Sequence, residues 1–249
     1  MDTRREVIDG LRRQIEQLGG TLRSRQSLPF GVPALDRHLP GKGLALGALH
    51  EVIEGGPASE FAGAATLFVA GLAARLKGPI LWCLTRRDLF TPGLLQVGLD
   101  PSRILYVETQ RDADLLPLIE DGLHEKGLGA VIGEVTRLGL TASRRLHLAA
   151  EASGVPALII RRWWTVAQKD LTQLPTAATT RWRITPAVSE VLPSDGLGRG
   201  RWQVDLLRCR GAEPRTWILE ACNAQGRLAL PSDLAHRPDP AQVRRSSAG

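Results

Sequence analysis

Between His50 and Gly71 the chain carries the outline of a phosphate-binding loop without its chemically active side chains. Val52 and Ile53 read as a short apolar strand, Gly55, Gly56 and Pro57 as a turn, and Gly63 as the opening of a helix carried on by Leu67, Phe68 and Leu72. A loop of the form Gly-x-x-x-x-Gly-Lys-Ser/Thr cradles phosphates with its backbone N–H groups. Its lysine neutralises the β- and γ-phosphates and its hydroxyl holds Mg²⁺. Here six residues separate Gly56 from Gly63, and Ala64, Ala65 and Thr66 follow. Alanine can do neither job at the lysine and hydroxyl places. The same residues also fit an ordinary strand–turn–helix that uses glycine for turn geometry.

Other catalytic groupings are absent from the sequence. His38, His50, His124, His147 and His236 are scattered, with no pair four apart. Ser143 and Ser153 lack the Gly-x-Ser-x-Gly elbow of a nucleophile. Asp112, Asp114, Glu120 and Asp121 read as helix-start or surface acids, and Asp88 beside Arg86 and Arg87 as a surface charge cluster. Cys83, Cys209 and Cys222 are odd in number and widely spaced, which argues against a disulfide framework or a metal site. No cofactor is expected.

Charge offers a second lead. The net charge of +6 is concentrated in residues 161–215, which hold ten Lys/Arg and five Asp/Glu, while residues 1–160 are balanced at 18 of each. That stretch also contains Trp163, Trp164, Trp182 and Trp202. Cations interleaved with aromatic rings suit nucleic acid, because charge tracks phosphates and rings stack on bases. Two plainer readings compete. Arg outnumbers Lys 28 to 4 throughout, a composition bias, and Trp also serves as a core residue in strands. Exposed Arg and Trp would equally suit a protein partner.

These residues need a scaffold, and the hydrophobic pattern predicts one. Residues 4–22 read as an amphipathic helix through Val7, Ile8, Leu11, Ile15, Leu18 and Leu22. Apolar strands are expected at 80–84, 104–107, 130–135 and 157–160, alternating with helices at 92–97, 112–123 and 141–153, the last capped by Thr141. Short apolar strands alternating with helices predict an α/β fold with a mostly parallel sheet covered on both faces. After Ile160 the pattern changes to a polar segment, then strands at 181–184 and 202–207, and a terminal hairpin from 216–220 and 226–230. The tail from Arg237 is polar and expected to be disordered. No apolar run reaches the roughly 18 residues of a membrane span, and the first residues lack a signal-peptide core, so a cytoplasmic protein is expected.

The residues before the glycine turn carry a resemblance. Leu28-Pro29-Phe30-Gly31-Val32-Pro33-Ala34-Leu35-Asp36, then Leu39-Pro40-Gly41-Lys42-Gly43-Leu44, then Gly47 to Val52, resemble the entry to a RecA-type ATPase core, and the likeness extends over residues 28–210. More narrowly, Pro29-Phe30-Gly31, the Arg-Trp segments at 181 and 201, and Leu206-Leu207-Arg208-Cys209-Arg210 resemble the ImuA family, RecA-like proteins of bacterial damage-induced mutagenesis cassettes. The resemblance implies an N-terminal helix in 1–25, a RecA-like α/β domain over 26–236 whose part from 160 is loop and antiparallel strands, and a tail over 237–249. It places Ala64 and Ala65 at the lysine and hydroxyl positions, Gly133 and Glu134 near the metal-binding carboxylate, and Arg86 near the catalytic glutamate. A cation cannot serve as that base. The implied role is therefore a non-catalytic adaptor in error-prone translesion synthesis. Its implied partners are ImuB, an inactive Y-family polymerase homologue, an error-prone C-family polymerase, and RecA. In RecA relatives the loop after the strand at 157–160 faces DNA, which makes Arg161, Arg162, Trp163, Trp164 and Lys169 the candidate DNA or partner surface. The alternatives are a RecA-superfamily ATPase with a shifted nucleotide site and a SulA-like inhibitory binding protein.

Overall fold

The computed structural model describes residues 26–57, 59–163, 174–189 and 198–231. It opens with two short antiparallel strands, β1 (Ser27–Leu28) and β2 (Leu44–Ala45), around a four-residue helix, α1 (Pro33–Asp36). Asp36 folds this entry back on itself by accepting the backbone N–H groups of Phe30 and Gly31 at 2.6 and 2.9 Å. The main chain then alternates: β3 (Leu49–Glu54), α2 (Ser59–Ala74), β4 (Ile80–Leu84), α3 (Thr91–Gln96), β5 (Ile104–Glu108), α4 (Asp112–His124), β6 (Ala130–Val135), α5 (Leu140–Ser153) and β7 (Ala157–Arg161). Three strands follow, β8 (Thr180–Ala187), β9 (Arg201–Cys209) and β10 (Arg215–Glu220).

The sheet has eight strands in the order β10-β9-β8-β3-β7-β6-β4-β5. Strands β8 to β5 in that order run parallel, and β9 and β10 add antiparallel at the other side. The fold class read from the sequence is thus the observed one. β3, β6 and β7 are buried along their whole length, and their stretches 52–53, 130–132 and 157–160 accordingly read as unbroken apolar runs rather than alternating ones. One face carries α2 and α3 over Val52, Trp82, Ile132, Ile160 and Trp182; the other carries α4 and α5 over Leu49, Val131, Ile159 and Ala157.

Several boundaries move. α2 begins at Ser59, so Gly63 lies within the helix rather than opening it. Its first turn has acidic Glu60 at the positive end of the helix dipole, and its middle is apolar on nearly every side. α5 starts at Leu140 after Gly139, with no side-chain cap, so Thr141 does not cap it. The terminal hairpin reduces to one bridge between Glu220 and Ala229, and β10 pairs instead with β9. Trp182, Trp202 and Trp217 pack with Phe30 and Phe68 in the core, with Trp182 5.3 Å from Phe30 and 6.2 Å from Phe68 between ring centroids. Those rings follow the plainer reading, as core residues. No described helix is long and apolar enough to cross a membrane. The helix expected at 4–22 and the tail at 237–249 lie outside the described residues.

Candidate functional site

Parallel α/β sheets place their ligands at the carboxyl ends of the strands. There, β3 ends in Glu54, β6 in Glu134-Val135, and β7 in Arg161, followed by Arg162. Successive residues of a strand point to opposite faces. Arg161 and Arg162 therefore part company, and two separate ion-pair networks result.

On the α2 face, Arg162 is the hub. Its Nε donates to Glu134 Oε2 at 2.7 Å and its Nη1 to Glu54 Oε1 at 2.9 Å, while Nη2 also reaches Glu134 and lies 3.5 Å from Asp88 Oδ1. The remaining carboxylate oxygens are used as well. Trp82 Nε1 donates to Glu134 Oε1 at 2.6 Å, and the Trp163 backbone N–H to Glu54 Oε2 at 2.7 Å. Burial pushes the Glu54 and Glu134 carboxyls up, against the pull of the Arg162 charge. Burial alone would lower Arg162, but Glu134 and Glu54 more than offset it and hold the guanidinium charged.

On the opposite face, Glu51 accepts from Arg161 Nη1 at 3.2 Å and from Arg181 Nη2 at 3.1 Å, and its other oxygen takes the Thr176 hydroxyl. Arg161 Nη2 also donates to Thr136 O at 3.2 Å. Arg161 is fully buried, and burial lowers its pKa. Beside this network His50 sits in a closed chain. Its Nε2–H donates to Ala45 O at 2.8 Å and its Nδ1 faces the Thr180 hydroxyl at 2.8 Å, which accepts from Trp182 Nε1. Burial pushes its pKa down to about 4, so it stays neutral.

This geometry corrects one expectation. Arg161 and Arg162 are 0% and 3% exposed and are bound to buried carboxylates, so neither forms an exposed charged surface. Sequence counting treated all cations alike; burial depends on which acids the fold brings to the strand ends. Trp163 is partly exposed, and Trp164 and Lys169 lie outside the described residues.

The glycine turn is built for packing. A Cβ on Gly55 would lie 2.4 Å from Thr185 Oγ1 and 2.9 Å from Phe61 Cδ1, and one on Gly56 would lie 2.7 Å from Phe61 Cε2. Neither glycine has a positive φ. They are small so that the Phe61 ring and β8 can close against the backbone. Ala64 and Ala65 are buried core residues, Thr66 is nearly buried, and Gly63 is exposed with nothing near its Cα hydrogens. Arg86 is exposed after β4. An open cleft of about 370 Å³ lies nearby at the ends of β4 and β5, lined by Leu84, Arg87, Leu89, Thr91, Tyr106 and Glu108, none from the glycine turn. Among the described residues no group of three His, Cys, Asp or Glu is placed to hold a metal ion. Cys83 and Cys222 are buried free thiols, both pushed up to about 12 by burial.

No protein-family model matches the chain. Curated relatives do. Protein ImuA of Caulobacter vibrioides strain NA1000 / CB15N is 40% identical over 213 residues, covering 82% of this chain and 87% of the relative, and Protein ImuA of a second strain of that species gives the same figures. The chain belongs to the ImuA family. For an ImuA-family protein, Glu54, Glu51 and Phe61 were the residues sequence reading missed. The available signal was charge inside apolar strands: Glu51, Glu54 and Glu134 interrupt buried runs, and a buried acid calls for a buried cation.

Proposed function

We propose that this ImuA-family chain is a non-catalytic adaptor of error-prone translesion DNA synthesis, acting beside an ImuB-like inactive Y-family polymerase homologue and an error-prone C-family polymerase. The observation that carries the reading is Arg162. Its guanidinium lies between Glu54 and Glu134 at the strand ends, where a RecA-type enzyme would hold its metal and phosphates. A fixed internal cation satisfies those carboxylates with no nucleotide or Mg²⁺. Ala64 and Ala65 supply no phosphate ligand, and the Phe61 ring fills the space against the turn. Phosphoryl transfer rests on positioning and neutralising phosphate charge, and no described group at the glycine turn does either. The segment around Trp163, Trp164 and Lys169 stays a proposed partner surface, now without the two arginines. A cytoplasmic location follows from the same role.

Two measurements test this together. The purified chain should capture an ImuB-like partner in co-purification, with and without DNA, and should turn over no ATP above background. Turnover that disappears when Gly55 and Gly56 are replaced by bulky residues would overturn the non-catalytic reading. Failure to capture the partner would overturn the adaptor reading.

A further inference from the structure

The arginines of the basic stretch divide by partner. Arg161, Arg162, Arg181, Arg183 and Arg199 close on carboxylates. Among the described residues no carboxylate pairs with Arg208 or Arg210, both exposed at the end of β9. Each is instead fixed by a backbone carbonyl: Arg208 Nη1 donates to Thr176 O at 2.5 Å and Arg210 Nη2 to Ala177 O at 2.9 Å. That carbonyl wall is itself anchored, since Ala177 N–H donates to Ser143 Oγ of α5 at 3.0 Å. Facing it are Leu140, Arg144, His147 and Leu148, which share one side of α5. Together these residues line an open cleft of about 370 Å³, and no acidic side chain is among the described residues that line it.

The donors in this cleft converge. Arg210 Nη1 lies 3.4 Å from His147 Nε2, which holds its guanidinium beside α5. Arg208 and Arg144 add two cations at the same opening. Guanidinium groups held by carbonyls keep their remaining N–H fork preorganised for phosphate.

We propose that this cleft binds a backbone phosphate of a DNA strand. The oxyanion chemistry is read from the cleft itself; the choice of DNA over a free anion rests on the translesion-synthesis reading above. The site is separate from the Arg162 network, and it places exposed surplus charge on β9 and α5.

The test is binding of a fluorescein-labelled single-stranded oligonucleotide to the full chain, by anisotropy over a salt series. Arg144→Gln with Arg208→Gln should weaken binding about 10-fold or more and flatten the log–log salt slope by about 0.7, the value for one lost phosphate contact on a single strand. Arg144→Gln alone changes only an exposed side chain and should weaken binding about 3-fold, so it decides the matter if the double variant misfolds. Arg145→Gln, whose parent pairs with Glu120 outside the cleft, should bind like the parent. Cleft variants that bind like the parent, or a parent that binds no oligonucleotide, would overturn the proposal. So would protection by inorganic phosphate at matched ionic strength without oligonucleotide binding, which would assign the cleft to a small anion. Partner capture by Arg144→Gln separates the two readings: loss of DNA binding with capture intact is the outcome expected here, and absent capture by the parent condemns the adaptor role alone.

Discussion

Arg162 donates to the buried carboxylates of Glu134 and Glu54, and its removal has a definite consequence. In Arg162→Leu, Glu54 and Glu134 stay buried with their charge uncompensated. Breaking a buried pair from one side costs about 3–5 kcal/mol, which denaturant unfolding at pH 7 should read. The pH dependence has a fixed sign. Burial raises both carboxyls above their unfolded values, so the folded state binds more protons, and stability falls as pH rises from the unfolded value through the folded one. Without Arg162 both are raised further. The deficit of the variant should therefore be larger at pH 8 than at pH 5, and an equal deficit at both would mean that the acids do not depend on this arginine.

At the scale of elements, the strand–turn–helix from β3 to α2 decides between a phosphate loop and a packing joint. Ala65 is fully buried and Ala64 nearly so, both facing the core. Writing the missing residues back, as Ala64→Lys with Ala65→Thr, should not create a nucleotide site. The hydroxyl would enter the core without a partner, at about 1–3 kcal/mol, and the ammonium would have to bend out to water. The expected outcome is a loss of about 2 kcal/mol or more in thermal or chemical unfolding, with no ATP binding by calorimetry. Measurable ATP affinity in this variant would show that the turn keeps the geometry of a phosphate cradle. The turn itself was legible in part: its glycines and flanking strand stand where the sequence put them. The helix start was not, because Ser59, Glu60, Phe61 and Ala62 are compatible with either loop or helix, and only the seat of Phe61 on Gly55 and Gly56 selects the helix.

At the scale of the whole molecule, the described residues assemble two hydrophobic clusters drawn from Leu28 to Leu228. The apolar stripe at Val7, Ile8, Leu11, Ile15, Leu18 and Leu22 is read from the sequence as joining subunits or a partner. Deleting residues 1–25 should leave a cooperatively folding domain with near-parental far-UV dichroism, while changing the mass in solution or the capture of a partner. A truncated chain that no longer folds would assign that segment to its own domain.

The sequence by itself determined the class of fold and the family. Continuous apolar runs such as 157–160 call for burial on both faces, and a parallel sheet between helix layers supplies it. The Pro29-Phe30-Gly31 entry and the Leu206–Arg210 strand pointed to the ImuA family, to which the 40% identity assigns the chain. The tertiary structure alone decided what the charges do. Arg161 and Arg162 are neighbours in sequence with the same chemistry, yet strand alternation sends one to Glu51 and the other to Glu54 and Glu134. Arg208 and Arg210 come to face Arg144 only because β9 pairs antiparallel with β8 and ends beside α5. Charge in a sequence is a count, whereas the work a charge can do depends on the desolvation and the counter-charges that long-range packing sets around it.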